Sequence, residues 1–175
     1  MNSSGWDRFR KQQAAEREQL RRLLVAMRPV LAECPAEVLT EVELSALAAM
    51  LHSFYTGLEN IFKRVALELD AQPVRGEAWH RDLLRRMTVP TPERPAWLSA
   101  ELHETLLDYL RFRHVFRNAY SFDLHWEKMA SLVLNAESTL TRLEQELDAL
   151  LAQAPDAPHG ASDGNRCADA PSDQR

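Results

Sequence analysis

The chain has 175 residues, a net charge of −5, five glycines and two cysteines. That length suits a single domain with a real core, and the shortage of glycine beside abundant Leu, Ala, Glu and Arg predicts an all-helical protein. The acidic balance argues against a surface coated throughout for nucleic acid, while leaving room for a local basic site.

Cys34 and Cys167 lie far apart, which fits neither a disulfide framework nor a zinc spacing. Cys34 reads as a small buried hydrophobe and Cys167 as an idle thiol. No apolar run reaches the length of a membrane span, and the N-terminus carries no signal-peptide core, so the expected location is cytoplasmic.

In chain order, Gly5 to Cys34 reads as a helix, basic early (Arg8, Arg10, Lys11, Arg17, Arg21, Arg22) and apolar late. Leu20, Leu23, Leu24, Met27 and Leu31 keep the three-four spacing that docks a helix on a core. The first half offers only Trp6 and Phe9 for burial, so it is expected to extend past the bundle or pack on a second copy. Pro29 is expected to bend or divide this helix. Its basic half reads as a solvated face, with nucleic-acid contact as the rarer use.

Pro35 closes that segment, and Thr40 with Glu43 predicts a capping box opening the next helix. From Leu44 to Leu69 the chain carries one unbroken apolar stripe, giving a helix that ends near residue 71. His52 and Glu59 flank the stripe and read as boundary residues. A loop through Pro73 and Gly76 leads to a short helix from Glu77 to about Met87, with Trp79 as a packing anchor and His80 as a satisfied structural histidine. Residues 88–95 hold three prolines and read as irregular. Ser99 caps a further amphipathic helix that carries Leu102, Leu106, Tyr109, Leu110, Phe116 and Tyr120 on one arc.

Arg113 falls near the middle of that arc. A guanidinium cannot shed its charge and is rarely buried alone. It is satisfied by an internal salt bridge, by a stem lying on the core with its head in water, or by an anion such as a phosphate. After Ser121-Phe122-Asp123 a last helix, about Leu124 to Leu151, shows a heptad-like seam. The predicted fold is therefore an all-α, antiparallel (up-down) helical bundle of four long helices and one short helix over residues 1–152. Residues 153–175, with no large apolar side chain, read as a disordered tail. No inward-facing Glu-x-x-His or His-x-x-x-His pair, Gly-rich phosphate loop or G-x-S-x-G appears, so neither a metal nor a cofactor is predicted.

The stretch from Arg111 to Tyr120 resembles the R-x4-H-x-Y motif of the HEPN superfamily, and within it the HepT-like ribonuclease toxins. Arg113, four residues, then Asn118, Ala119 and Tyr120 reproduce the frame, and His114 fits the polar residue usual after the arginine. Phe-Tyr-x-Gly-Leu-Glu-Asn-Ile-Phe at 54–62 and Gly-Glu-x-Trp-His at 76–80 are similar to the family as well. The likeness covers about residues 15–150.

The resemblance implies a HEPN-like bundle that dimerises and cuts RNA without a metal, through attack of a ribose 2′-hydroxyl on the adjacent phosphate. It implies catalytic roles for Arg113, Asn118 and Tyr120 and RNA-binding roles for His114, Arg117 and Arg111. It also implies a partner, a nucleotidyltransferase antitoxin, which attaches AMP to Tyr120. Asn118 departs from the pattern, because an asparagine orients groups by hydrogen bonds but moves no proton. His114, His125 and His80 are the histidines available to replace it. In an unbroken helix Asn118 would point about 140° away from Arg113, so convergence requires a distortion near Arg117 or a second subunit. Three readings follow: a toxin-type ribonuclease, a non-catalytic HEPN-like module that binds RNA, a nucleotide or a partner protein, and a dimeric interaction bundle with a structural Arg113.

Overall fold

The longest apolar stripe of the sequence becomes the axis of the molecule. In the computed structural model, which describes residues 3–33, 39–73, 76, 78–117 and 124–153, helix α2 runs from Glu41 to Arg64. A single π-helical turn, Val65–Leu69, continues it without a break. Around this rod stand α1 (Ser3–Glu33), α3 (Trp79–Met87), α4 (Ala100–Phe116) and α5 (Trp126–Ala152), and α2 packs against all four. The described residues form a helical bundle whose extended pairing is limited to an isolated bridge between Thr91 and Arg94. Cys34, Pro35, Asn118 to Asp123, and the expected tail from residue 154 on, Cys167 included, fall outside the described residues.

The predicted stop and start signals act as expected. Thr40 Oγ1 accepts from the Glu43 amide at 3.3 Å, while the Thr40 amide donates to the Glu43 carboxylate at 2.8 Å. Ser99 Oγ accepts from the Leu102 amide at 3.2 Å, and the Ser99 amide and hydroxyl donate to Glu146 at 2.8 and 2.6 Å, tying the start of α4 to α5. Leu47, Phe54, Leu58, Ile61 and Phe62 are fully buried along α2, each contributing about 1.5–3 kcal/mol by leaving water.

One expectation for the first helix is corrected and a second is narrowed. Its N-terminal half does not project: Trp6 and Phe9, three residues apart and so on one face, are buried edge to face with centroids 6.5 Å apart. Gly5 lets this end abut the π turn, since a Cβ there would lie 2.8 Å from the Glu68 carbonyl oxygen. A Cβ on Gly57 would likewise meet Leu20 Cδ2 at 2.6 Å, so the α1–α2 approach depends on both glycines. Nor does Pro29 divide α1, which runs through it. The carbonyl that its missing N–H leaves unpaired belongs to Val25, which is 54 % exposed, so water can serve it.

The early arginines are matched by carboxylates. Arg17 forms a two-pronged pair with Asp148 at 2.6 and 3.0 Å, Arg21 meets Glu144 at 2.8 Å and Arg28 meets Glu137 at 2.9 Å, all across to α5. Arg8 reaches Glu68 at 3.3 Å. Exposed pairs of this kind are worth about 0–1 kcal/mol each, but they cancel the basic face that the sequence suggested.

Asp70 and Arg94 form a buried clasp at the far end of the rod. Their side chains are 1 % and 0 % exposed and pair at 2.8 and 2.9 Å. Arg94 also donates to the carbonyls of Val89, Pro95 and Arg86. One guanidinium thus sets the path of the proline-rich loop and the point where α4 begins. Arg94→Leu leaves Asp70 with only Arg86 at 3.7 Å and the Thr91 hydroxyl at 3.5 Å and is expected to cost about 3–5 kcal/mol, measured as a lower urea midpoint, whereas Arg28→Ala at the exposed α1–α5 seam should leave that midpoint unchanged.

Candidate functional site

Helices α2, α3 and α4 each bring one ionisable side chain to a common point inside the bundle. Glu59 comes from α2 and is completely buried. Its two oxygens have different partners: Oε2 accepts from Arg113 Nη1 on α4, and Oε1 meets His80 Nδ1 on α3. Arg113 Nη1 lies 3.1 Å from His80 Nδ1. The side chains of His80 and Arg113 keep 10 % and 14 % of their surface open. Of the options open to Arg113 from its place on the apolar arc, the fold realises the internal ion pair. Glu59, expected at the boundary of the stripe, sits instead at the centre of the cluster. A carboxylate there has nowhere to find water, so it needs both a cation and a second donor.

Aromatic rings frame the cluster. Trp79 lies against His80 with centroids 3.6 Å apart, Lys63 Nζ stands 4.7 Å over the Trp79 ring, and His114 meets His80 edge-on at 5.7 Å. On the other flank His52 rests on Phe116 at 5.5 Å, and Phe116 stacks on Phe112. His52, half-buried as its position beside the stripe predicts, also borders an open groove of about 620 Å³ between α1 and α2 that Arg22, Ser53, Thr56 and Asn60 help to line. Tyr55 Oη, His52 Nδ1 and Arg113 Nε are buried with no hydrogen-bond partner among the described residues. Buried polar atoms are seldom left so.

Helix α4 ends at Phe116, with Arg117 as its C-cap donating to the Arg113 and Val115 carbonyls. Asn118 and Tyr120 lie outside the described residues. Of the expected RNA-binding residues, His114 and Arg117 fall on the cluster side: His114 against His80, and Arg117 within electrostatic reach of His52. Arg111 does not. It is turned about 200° from Arg113 around the helix, bonds Asp108 at 2.7 Å, and lines a separate α4–α5 groove of about 340 Å³ with Val115, His125 and Lys128. His125 is thereby also separated from the cluster. Among the described residues, no group of three or more His, Cys, Asp and Glu could hold a metal ion. No helix among them is long and apolar enough to cross a membrane.

Burial lowers the pKa of His80, the Glu59 carboxylate raises it in part, and Arg113 and His114 lower it further. Burial also lowers the pKa of His52, assisted by Arg113 and Arg117. Burial pushes the Tyr55 hydroxyl upward and that of Tyr109 up to about 12. Tyr109 is a core residue whose hydroxyl donates to the Leu132 carbonyl at 2.8 Å.

The family model described as HepT-like protein matches residues 46–154, from within α2 to just past α5, and so takes in Glu59, His80 and Arg113. Comparison with curated proteins and with solved structures returned no match.

Both lowered imidazoles bind a proton less readily in the folded chain than in the unfolded one, where the value is near 6.5. Their contribution to stability is therefore complete above that pH and lost as the pH falls below it. Urea midpoints taken between about pH 7.5 and about pH 5.5 should fall toward acid, and His52→Gln should flatten the decline.

Proposed function

The chain belongs to the HepT-like protein family, and from that premise we propose that it is the toxin of a toxin–antitoxin pair, a metal-independent RNA endonuclease that works as a homodimer in the cytoplasm. The observation that carries this reading is the burial of Glu59, His80 and Arg113 together, beneath the point where the Arg113–Tyr120 motif begins. A buried ionic cluster is a poor device for stability, because apolar side chains of equal volume hold a core as well or better. Clusters of shifted ionisable groups gather instead where chemistry is done.

In this reading Arg113, held in one orientation by Glu59, stabilises the charge that builds on the phosphate during attack by the 2′-hydroxyl. Asn118 orients the ribose or a phosphate oxygen, and Tyr120 lines the pocket. His114 and Arg117 hold the flanking phosphates, with Arg111 reserved for a more distant stretch of the strand. Two copies place two such sites on one cleft and give a basic groove on an acidic protein. A cognate nucleotidyltransferase antitoxin attaches AMP to Tyr120, and the added bulk and negative charge exclude the substrate phosphate.

A second reading is favoured by a specific feature: Arg113 already has a carboxylate partner, and position 118 has no histidine. It makes the chain a non-catalytic HEPN-like module that holds RNA, a nucleotide or a partner protein. Induction in a bacterial host separates the two. The wild type should arrest growth and degrade bulk RNA, Arg113→Ala should do neither, and Asn118→His should raise cleavage by about tenfold or more. RNA binding that weakens steeply with salt, without any cleavage, would support the module instead.

A further inference from the structure

Resting on the ribonuclease reading, we propose that His80 is the proton-transfer group of this chain, taking over the chemistry that Asn118 cannot perform, with Glu59 as the residue that positions it. The argument begins at His80 Nδ1, which has a carboxylate oxygen and a guanidinium nitrogen as neighbours. A ring nitrogen bearing a proton donates to the carboxylate. One bearing a lone pair accepts from the guanidinium, but then turns that lone pair toward the anionic Glu59 oxygen, which is the nearer neighbour. The first arrangement is the stable one, so the proton sits on Nδ1 and the lone pair on Nε2. Glu59 Oε2 meanwhile accepts from Arg113. One carboxylate thereby fixes both the tautomer of the base and the orientation of the charge-stabilising arginine, 3.1 Å apart.

The surroundings suit the task. Glu59 from α2 and Arg113 and His114 from α4 are the charged or titratable groups facing the ring, with Lys63 reaching it through Trp79. Trp79 prevents the imidazole from tilting on one side. A tenth of the His80 side chain stays open, so the ring is not sealed inside the bundle as Glu59 is. Burial holds the imidazole below its ordinary range, which favours the neutral ring that a base must present. A purely structural histidine would satisfy Glu59 equally well, so the distinction rests on what Nε2 does.

The step balances as follows. His80 Nε2 takes the proton of the 2′-hydroxyl, and O2′ forms a bond to phosphorus as the P–O5′ bond breaks. The 5′-oxygen leaves with the proton returned from the imidazolium. The products are a 2′,3′-cyclic phosphate and a 5′-hydroxyl, and no oxidant, metal or second reactant takes part.

The test is single-turnover cleavage of a single-stranded RNA oligonucleotide by the full chain, with binding followed separately by fluorescence anisotropy. His80→Gln should lower cleavage by about 10²–10⁴-fold while RNA affinity stays within about threefold. Glu59→Gln removes the anion that raises the His80 pKa, so the acid limb of its pH–rate profile should move to lower pH, a change that a merely structural pair would not give. Adding Asn118→His to His80→Gln should restore part of the rate. The assignment is overturned if His80→Gln cleaves within about threefold of the wild type. Should that variant not fold, the wild type decides: a proton on Nε2 with a bare Nδ1 in nitrogen-15 spectra overturns the proposal, as does an acid limb of the pH–rate profile that departs from the His80 titration followed in the same spectra, and coincidence of the two supports it. A wild type that binds RNA but never cuts it sinks the ribonuclease reading itself, a result distinct from a wild type that cuts and is indifferent to His80.

Discussion

A carboxylate sealed from water is the condition around which the interior of this bundle is arranged. Glu59 lies on the helix that every other helix touches, and at full burial its charge is tolerable only if donors are supplied from elsewhere. One comes from α4 and one from α3, so a single anion fixes how three helices face one another. Removing either partner leaves the anion partly unsatisfied, which makes the arrangement all-or-none. The same demand explains why a permanently charged arginine occupies a position that the helical period assigns to the core.

The arrangement also depends on a second buried pair some distance along the rod. Arg94 is held by Asp70 and grips the carbonyls of the loop before α4. That loop determines the register at which α4 enters, and the register determines whether Arg113 arrives opposite Glu59. The Ser99–Glu146 bonds fix the same end of α4 from the side of α5. The polar groups in this fold therefore act as a chain of locators, while the apolar stripe supplies most of the driving force.

Much of this was legible in the residues, and the exceptions have physical reasons. Helix identities, the Thr40 and Ser99 caps and the core stripe follow from local periodicity and short-range bonding, which a linear reading captures. Arg113 stood out because its charge contradicted its face. A wheel places Glu59 at the boundary of the stripe because it locates a side chain only to within a flank, and the partners that draw it inward lie far away in sequence. The available signal was that Glu59 and His80 both fall within the two segments similar to the HepT-like family. The burial of Trp6 and Phe9 has no periodic signature, because it depends on the π turn and on Gly5. The basic face of α1 is hidden for a related reason: its acidic counterparts across the bundle are on α5 and the π turn, and such pairing is invisible to composition.

The π turn bears on how such a chain can vary in length. An i to i+5 turn holds one residue more than its α-helical equivalent, so Val65–Leu69 is the place in the rod where a residue can be gained or lost without unthreading the helix. Loss of one there tightens the wide turn to an ordinary α turn and leaves the downstream residues on their original face, so Asp70 still meets Arg94. The same loss elsewhere in α2 would rotate one side of the cut by roughly 100° against the other and part Glu59 or Asp70 from its partner, so changes of length in this rod are confined to the turn that can absorb them.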